Sequence, residues 1–191
     1  TVHRVGGHAD LLAHIVACIE SDELPVLIFL QETHGAPDSE LIPILEFGGY
    51  EASHKPREVT KERKNRATRG GVGVYVHKGI APHVSVHKSM AKEEYGGLEE
   101  VMYVLVQEPG KVKKAFWNVY QPGAPYRRNE GIHMGIALTA IARKTQELKS
   151  KGFEVYAGGD FNRQYREQTE WSKKQREDTR ELKGIMEQVG W

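Results

Sequence analysis

The organisation of the chain follows from the stretch Phe153–Asn162, which reads Phe-Glu-Val-Tyr-Ala-Gly-Gly-Asp-Phe-Asn. Apolar residues alternate over its first five positions, and the pair Gly158-Gly159 follows, so the pattern predicts a short strand that ends at a glycine break. Asp160 and Asn162 come directly after the break. Ligands of open α/β sheets bind at the carboxyl ends of strands, and glycines there allow a sharp turn and the close approach of a substrate. The spacing alone equally allows an Asx turn that caps the strand.

A second segment places another carboxylate in an equivalent position. Val26–Leu30 is continuously apolar and is followed by Gln31-Glu32-Thr33. Such a run is typical of a strand buried on both faces, as parallel strands are. Glu32 then stands at the carboxyl end of a strand, as Asp160 does. Two carboxylates at equivalent strand ends form a candidate metal or acid–base site.

Composition limits the class of protein and the kinds of partner. With 191 residues and 21.6 kDa, the chain is long enough for one domain with a sizeable core. A net charge of +1 gives no overall attraction to nucleic acid, so such binding must come from local patches. Cys18 is the only cysteine, which excludes an internal disulfide and a thiolate zinc site and favours a reducing intracellular compartment. No apolar run approaches the roughly 18 residues of a membrane span.

Periodicity and turn signals predict the remaining elements. The predicted helices are Asp10–Glu20, Asp38–Phe47, Ile132–Ser150 and Asp178–Gln188, and the predicted strands are Tyr50–Ser53, Arg69–Val76, Pro82–His87, Leu98–Gln107 and Lys113–Tyr120. Lys78-Gly79 predicts a hairpin, and Pro109-Gly110 predicts an antiparallel pair. The glycines of Arg69–Val76 fall on one face, where another backbone can pack closely. A meander set between β–α units indicates a mixed sheet system.

Three basic regions are candidates for contact with a polyanion. Lys55–Arg69 carries seven Lys or Arg residues, which suits either a solvated loop or a phosphate-contacting loop. Arg127 and Arg128 follow the strand that ends at Tyr120 and can reach a phosphate or remain solvated. Tyr165 and Trp171 lie among basic residues, a mixture that contacts DNA strands in some proteins and is a plain exposed loop in others.

Four strings together resemble a known superfamily. They are Phe29–His34, Arg69–Val72, Asn118–Pro122 and Gly159–Asn162. In this order and spacing they resemble the endonuclease/exonuclease/phosphatase superfamily, and most nearly the apurinic-type endonuclease domain of non-LTR (LINE-type) retrotransposons. The resemblance extends from about Ala9 to Trp191.

The resemblance implies a four-layer α/β sandwich, with two packed mixed sheets, helices outside and an active site at one end. It implies Mg²⁺-dependent (or Mn²⁺-dependent) hydrolysis of a DNA phosphodiester by in-line attack of water. Glu32 would anchor the metal, and Asp160 would orient or deprotonate the water. Asn162 and Tyr120 would hold phosphate oxygens as charge shifts in the transition state. The DNA contacts would come from Arg69, Arg127, Arg128, Tyr165 and Trp171. The implied setting is the nucleus, with a reverse transcriptase domain elsewhere in the parent protein and no membrane.

The sequence also departs from that family. The family's first strand ends in an Asn that positions the metal, whereas Thr1–Arg4 offers only His3 in this place. The family finishes with further strands that carry an acidic residue and a terminal Asp-His pair, and this chain reaches Trp191 without them. We therefore expect residues 1–191 to form a domain that lacks the C-terminal strands and has little or no nuclease activity alone. The alternatives are an apurinic repair endonuclease or small-molecule phosphoesterase of the same superfamily, and an inactive nucleic-acid-binding or scaffold module.

Overall fold

The computed structural model describes residues 13, 17, 26–31, 33, 49–55, 71–88, 100–120, 134–160, 180, 183, 184, 186, 187 and 190, with side chains from Thr139 onward in the helix that begins at Met134. Within these ranges the elements run β1 (Leu27–Gln31), β2 (Tyr50–Lys55), β3 (Val72–His77), a 3₁₀ turn (Ala81–His83), β4 (Val84–His87), β5 (Val101–Val106), β6 (Lys113–Tyr120), α1 (Met134–Ser150) and β7 (Phe153–Asp160).

The first sheet has the order β1-β3-β2, and both pairings are antiparallel. The predicted edge strand at Tyr50 is confirmed as β2. The expectation that the Val26–Leu30 segment is a parallel strand is wrong, because β1 pairs antiparallel with β3, from Leu27 opposite Val76 to Gln31 opposite Val72. All five residues of β1 are half-buried, so the predicted full burial on both faces is also not seen. An apolar run does not show the direction in which its strand pairs.

The second sheet is mixed and has the order β4-β5-β6-β7. β4, β5 and β6 pair antiparallel, and the turn at Pro109-Gly110 is confirmed, with Gly110 at a φ of 74°. β6 and β7 are parallel because α1 crosses between them, as parallel neighbours require. Gly152, at a φ of 82°, ends the connection from α1 and confirms the predicted helix stop.

Two apolar clusters separate the layers. One lies between α1 and the second sheet and includes Trp117, Ile141 and Leu148. The other lies between the two sheets and includes Val72, Val74 and Val104. A helix, a sheet and a second packed sheet are therefore stacked as expected for an α/β sandwich.

The predicted hairpin at Lys78-Gly79 is wrong, since β3 and β4 belong to different sheets. Lys78 donates its amide to the Gly49 carbonyl, and the 3₁₀ turn follows directly. These turns carry the chain from one sheet to the other. A local turn signal shows that the chain reverses but does not show which strand it will join.

The strand of the opening stretch is longer than its glycine pair predicted. β7 continues through Gly158 and Gly159, and Asp160 is its last residue. The ladder with β6 supplies partners for the backbone up to Tyr120 opposite Asp160, which explains why the glycines do not end the strand. At Gly73, the predicted close contact is made by side chains, because the His54 imidazole and the Thr33 methyl group occupy the space of a Cβ atom.

The remaining predicted helices fall mainly outside the described residues. Ala13 and Ala17 are helical within the first, and Arg180, Lys183 and Met186 are helical within the last. The predicted helix Asp38–Phe47 and the basic loop after Lys55 lie outside the described residues. Among the helical residues that are described, none forms a segment long and apolar enough to span a membrane.

Candidate active site at one end of the sandwich

Tyr120 and Asp160 lie side by side at the ends of β6 and β7. They are paired residues of the parallel ladder. Neighbouring strands are about 4.8 Å apart, and paired residues of parallel strands project to the same face. Two residues that are 40 positions apart in the sequence are therefore adjacent, as a shared site requires.

The two side chains sit in different environments. Tyr120 is 5% exposed and belongs to the cluster between the sheets, and its amide donates to the Glu100 carbonyl at 2.9 Å. Asp160 is exposed. The buried Tyr120 therefore lies beside an Asp160 carboxylate that is accessible to solvent and to a substrate.

Gly159 explains how β7 can lie close to β6 at this point. Its φ is 141°, in a region that favours glycine, and a Cβ atom would overlap the Val119 carbonyl oxygen. Gly158, by contrast, has nothing within 4 Å of the position of a Cβ atom. The glycine pair predicted that a substrate approaches the backbone closely here. At Gly159, the group that approaches closely is instead the backbone of the neighbouring strand β6.

A buried amide joins the end of β1 to this place. The Asn118 Nδ2 donates to the Leu30 carbonyl at 3.1 Å and to the Gly73 carbonyl at 2.9 Å. Its Oδ1 accepts from Gln31 Nε2 at 2.6 Å. The face of β6 that carries Asn118, and two residues later Tyr120, is therefore turned towards the end of β1. We call this end of the sandwich the rim, and define it by Gln31, Thr33, Glu100, Tyr120 and Asp160.

The backbone just past β1 is also held. The Thr33 amide donates to the Gly71 carbonyl at 3.4 Å, and the Thr33 methyl group lies over Gly73. Gln31 and Thr33 flank Glu32 in the sequence, so both neighbours of the predicted metal ligand lie at the rim. The placement of Glu32 itself is outside the described residues.

Of the predicted site residues, the structure brings together Tyr120 and Asp160. The others lie outside the described residues, as does His3, and they stay predictions: Glu32, Arg69, Arg127, Arg128, Asn162, Tyr165 and Trp171. In the described part of the chain, no group of three or more His, Cys, Asp or Glu side chains is placed to hold a metal ion.

Sequence reasoning did not assign a role to Asn118 or Gln31. The sequence does mark Asn118 as unusual, because it is a single amide in the otherwise apolar stretch from Ala115 to Tyr120. It is 0% exposed, and buried amides need partners. Its partner could not be read from the sequence, since it is 87 residues away.

The pKa of His54, which packs against Gly73, is set mainly by the burial of its imidazole. His54 Nε2 and the Tyr75 hydroxyl are 3.1 Å apart, and the rings meet edge to face. Burial, and secondarily the charge of Lys88, lowers the pKa of His54 below its ordinary value of 6.5. The imidazole is therefore neutral at pH 7 and acts as a packing and hydrogen-bonding group.

Comparison with known proteins places the fold. No protein-family model matches the chain, and no curated protein matches it. Among solved structures, the APE2 catalytic domain from Xenopus laevis is 15% identical, with a TM-score of 0.62 over 97% of this chain and 65% of that one. The 3′-5′ exonuclease NExo from Neisseria meningitidis is 15% identical, with a TM-score of 0.56 over 92% of this chain and 67% of that one.

ANGEL2, a 2′,3′-cyclic phosphatase, is 18% identical, with a TM-score of 0.51 over 84% of this chain and 44% of that one. The chain thus spans from 44% to 67% of the length of these three structures. The chain therefore has the fold of the endonuclease/exonuclease/phosphatase superfamily, the fold that its sequence motifs predicted.

Proposed function

We propose that the protein is a metal-dependent phosphodiesterase, and specifically a DNA-nicking endonuclease of the retrotransposon type. The observation that carries this proposal is the pairing of Tyr120 with Asp160 at the rim, beside the strand end that leads into Glu32. A fold alone does not imply a function, so the proposal depends on these side chains.

The two described residues have complementary roles in this proposal. The Asp160 carboxylate is exposed at the rim, where it would orient or deprotonate the attacking water. The Tyr120 hydroxyl donates to a non-bridging phosphate oxygen as charge shifts in the transition state. Asn162, two residues past Asp160, supplies a second neutral donor.

The donor chemistry at the rim fits Mg²⁺ or Mn²⁺. Mg²⁺ prefers oxygen ligands and is commonly held by one or two carboxylates, with the remaining positions filled by water and phosphate. Glu32 would hold the ion, and the Asp160 carboxylate stands within the same end of the sandwich. When bound, such an ion stabilises negative charge on the phosphate and on the leaving oxygen.

We further propose DNA as the partner. Arg69, Arg127 and Arg128 would contact phosphates, and Tyr165 and Trp171 would stack or pack against the strand. Lys55, the last residue of β2, pairs with Val72 at the rim, so the basic loop that follows it begins at this end of the sandwich. A reverse transcriptase domain in the parent protein and a nuclear location belong to the same proposal.

The second candidate is another phosphoester hydrolase with this fold. The solved structures of similar fold carry different chemistries in their names, a 3′-5′ exonuclease and a 2′,3′-cyclic phosphatase. An apurinic repair endonuclease or a small-molecule phosphoesterase would use the same rim residues on another substrate. An inactive binding or scaffold module would keep the fold and the basic loops without turnover.

One assay separates these functions. Nicking of supercoiled plasmid is measured with Mg²⁺ and with EDTA, using the 191-residue chain and the protein translated from its whole reading frame. The proposal predicts Mg²⁺-dependent nicking by the whole protein, and an apparent affinity for DNA that falls steeply with salt. Hydrolysis of a small phosphate ester with no dependence on salt would favour the phosphoesterase, and salt-sensitive binding without nicking would favour the inactive module.

A further inference from the structure

Both polar atoms of the Asn118 carboxamide have hydrogen-bond partners inside the sandwich. It is 0% exposed. Its amino group donates to two carbonyls, those of Leu30 and Gly73, and its oxygen accepts from the Gln31 side chain. A buried amide with fewer partners would destabilise the fold, and this one has a partner on each side.

These three bonds cross from one sheet to the other. Asn118 belongs to β6 of the second sheet, whereas Leu30 and Gln31 belong to β1 and Gly73 to β3 of the first. The surrounding cluster is apolar and includes Val72, Val74 and Val104. Apolar packing is non-directional, whereas the hydrogen bonds of Asn118 are directional and therefore constrain how far one sheet is displaced along the other at this point.

The bonds lie directly inside the rim. Gln31 immediately precedes Glu32 in the sequence. Asn118 precedes Tyr120 by two residues on the same face of β6, and in the ladder it pairs with Gly158, which precedes Asp160 by two residues. A displacement of β1 relative to β6 would therefore move the strand end that leads into Glu32 relative to both Tyr120 and Asp160.

We propose that Gln31 and Asn118 form a positioning pair that sets the placement of the Glu32-bearing strand end relative to Tyr120 and Asp160. This inference rests on the proposed function and adds to it two residues that do not touch the substrate. A misplacement of about 1 Å in an active site can cost on the order of 100-fold in rate. The pair would therefore act on turnover, through geometry, more than on the binding of DNA.

The decisive variant is Gln31→Met, which keeps the length of the side chain and removes its amide. Gln31 is only half-buried, so the variant is expected to fold. We expect kcat for nicking to fall roughly 10- to 100-fold with KM for DNA unchanged. We also expect faster hydrogen exchange at the Thr33 amide, which lies past the strand end, and unchanged exchange at the Gln107 amide, which bonds to His83 at the opposite end of the sheet.

The matched control is Thr145→Val. Thr145 is 0% exposed and accepts a hydrogen bond from Trp117 Nε1 at 3.1 Å, in the layer between α1 and the second sheet. This variant also loses a buried hydrogen bond, but one that faces away from the rim. It should lower thermal stability and leave both kcat and the exchange of Thr33 unchanged.

A double-variant cycle tests whether the two residues act as a unit. If they do, Gln31→Met combined with Asn118→Leu loses no more kcat than the worse single variant. Multiplicative losses would overturn the pairing. If Asn118→Leu fails to fold, the comparison of kcat and Thr33 exchange between Gln31→Met and Thr145→Val still tests the inference.

The outcomes separate this inference from the proposed function. If the whole protein nicks DNA and Gln31→Met retains both kcat and slow exchange at Thr33, the positioning pair is wrong and the nuclease stands. If the protein does not nick DNA, the nuclease is wrong, and exchange at Thr33 alone decides whether the pair fixes the strand end. Faster exchange with unchanged kcat would overturn the positioning role.

Discussion

Tyr120 and Asp160 are paired residues at the last rung of the parallel ladder between β6 and β7. The two residues can pair in this way because α1 connects β6 to β7 so that both strands run in the same direction. The hydroxyl-bearing ring is held in the core, and the carboxylate is exposed. This contrast suits a fixed donor and a solvent-accessible base, and it gives each residue a separate test.

Replacing Asp160 by Asn removes the base and keeps the shape of the side chain. We expect kcat for plasmid nicking to fall by about 10²- to 10⁴-fold, the range that general-base catalysis contributes. Thermal stability should change little, since the side chain is exposed. Glu154→Gln is the matched control, because Glu154 is an exposed carboxylate on the same face of β7, farther from the rim. Unchanged kcat in Asp160→Asn would remove this residue from the mechanism.

Replacing Tyr120 by Phe removes one hydroxyl group from the rim. Loss of a transition-state donor costs about 3 kcal/mol of barrier, or on the order of 100-fold in kcat. The control is Tyr75→Phe, which removes the hydroxyl that lies 3.1 Å from His54 Nε2 and should affect stability alone. Equal effects of the two variants on kcat would show that the Tyr120 hydroxyl has no special role.

The two glycines before Asp160 should differ sharply in their tolerance of alanine. Gly159→Ala places a Cβ atom on the Val119 carbonyl at a φ of 141°, so we expect a loss of about 2–4 kcal/mol in the free energy of unfolding. Gly158→Ala has open space and should be nearly neutral. Urea denaturation of both variants measures the difference. Equal midpoints would mean that β7 does not approach β6 as described.

Protonation of His87 should destabilise the fold in mild acid. Burial, and secondarily the charge of Lys144, lowers the pKa of His87 below its ordinary value of 6.5. The unfolded chain then binds the proton first, so this contribution to stability is complete above pH 6.5 and is lost as the pH falls below it. His87→Phe keeps the ring that stacks on Tyr103 at a centroid distance of 4.4 Å and cannot titrate. Its melting temperature should fall less than that of the wild type between pH 7 and 5, and parallel curves would contradict the assignment.

Much of the architecture was predictable from local signals. Alternation and turn residues predicted β2, the β5–β6 pair and α1, and the motif strings predicted that Tyr120 and Asp160 lie near each other, as they do in the ladder. The pairing partner of β1 and the separation of β3 from β4 were not predictable in this way. Both depend on contacts between distant segments, and neither an apolar run nor a Lys-Gly turn encodes its partner.

The residue types of the candidate site were predictable from the sequence, but the hydrogen bonds that surround it were not. Tyr120 and Asp160 stand out because they follow strand patterns. The pairing of Gln31 with Asn118 does not stand out, because it is a hydrogen bond across 87 positions of sequence. A buried amide in an apolar strand signals that a partner exists, and only the fold shows which residue it is.

The most direct test of a shared cation site at the rim uses Mn²⁺ as a paramagnetic probe of the 191-residue chain by NMR, which needs no turnover. The account predicts that substoichiometric Mn²⁺ broadens the amide signals of Gln31, Thr33, Tyr120 and Asp160 together, leaves Val112 at the opposite end of the sheet sharp, and is displaced by Mg²⁺. Broadening at Gln31 and Thr33 without Tyr120 and Asp160, or the reverse, would contradict a common site for the two strand ends.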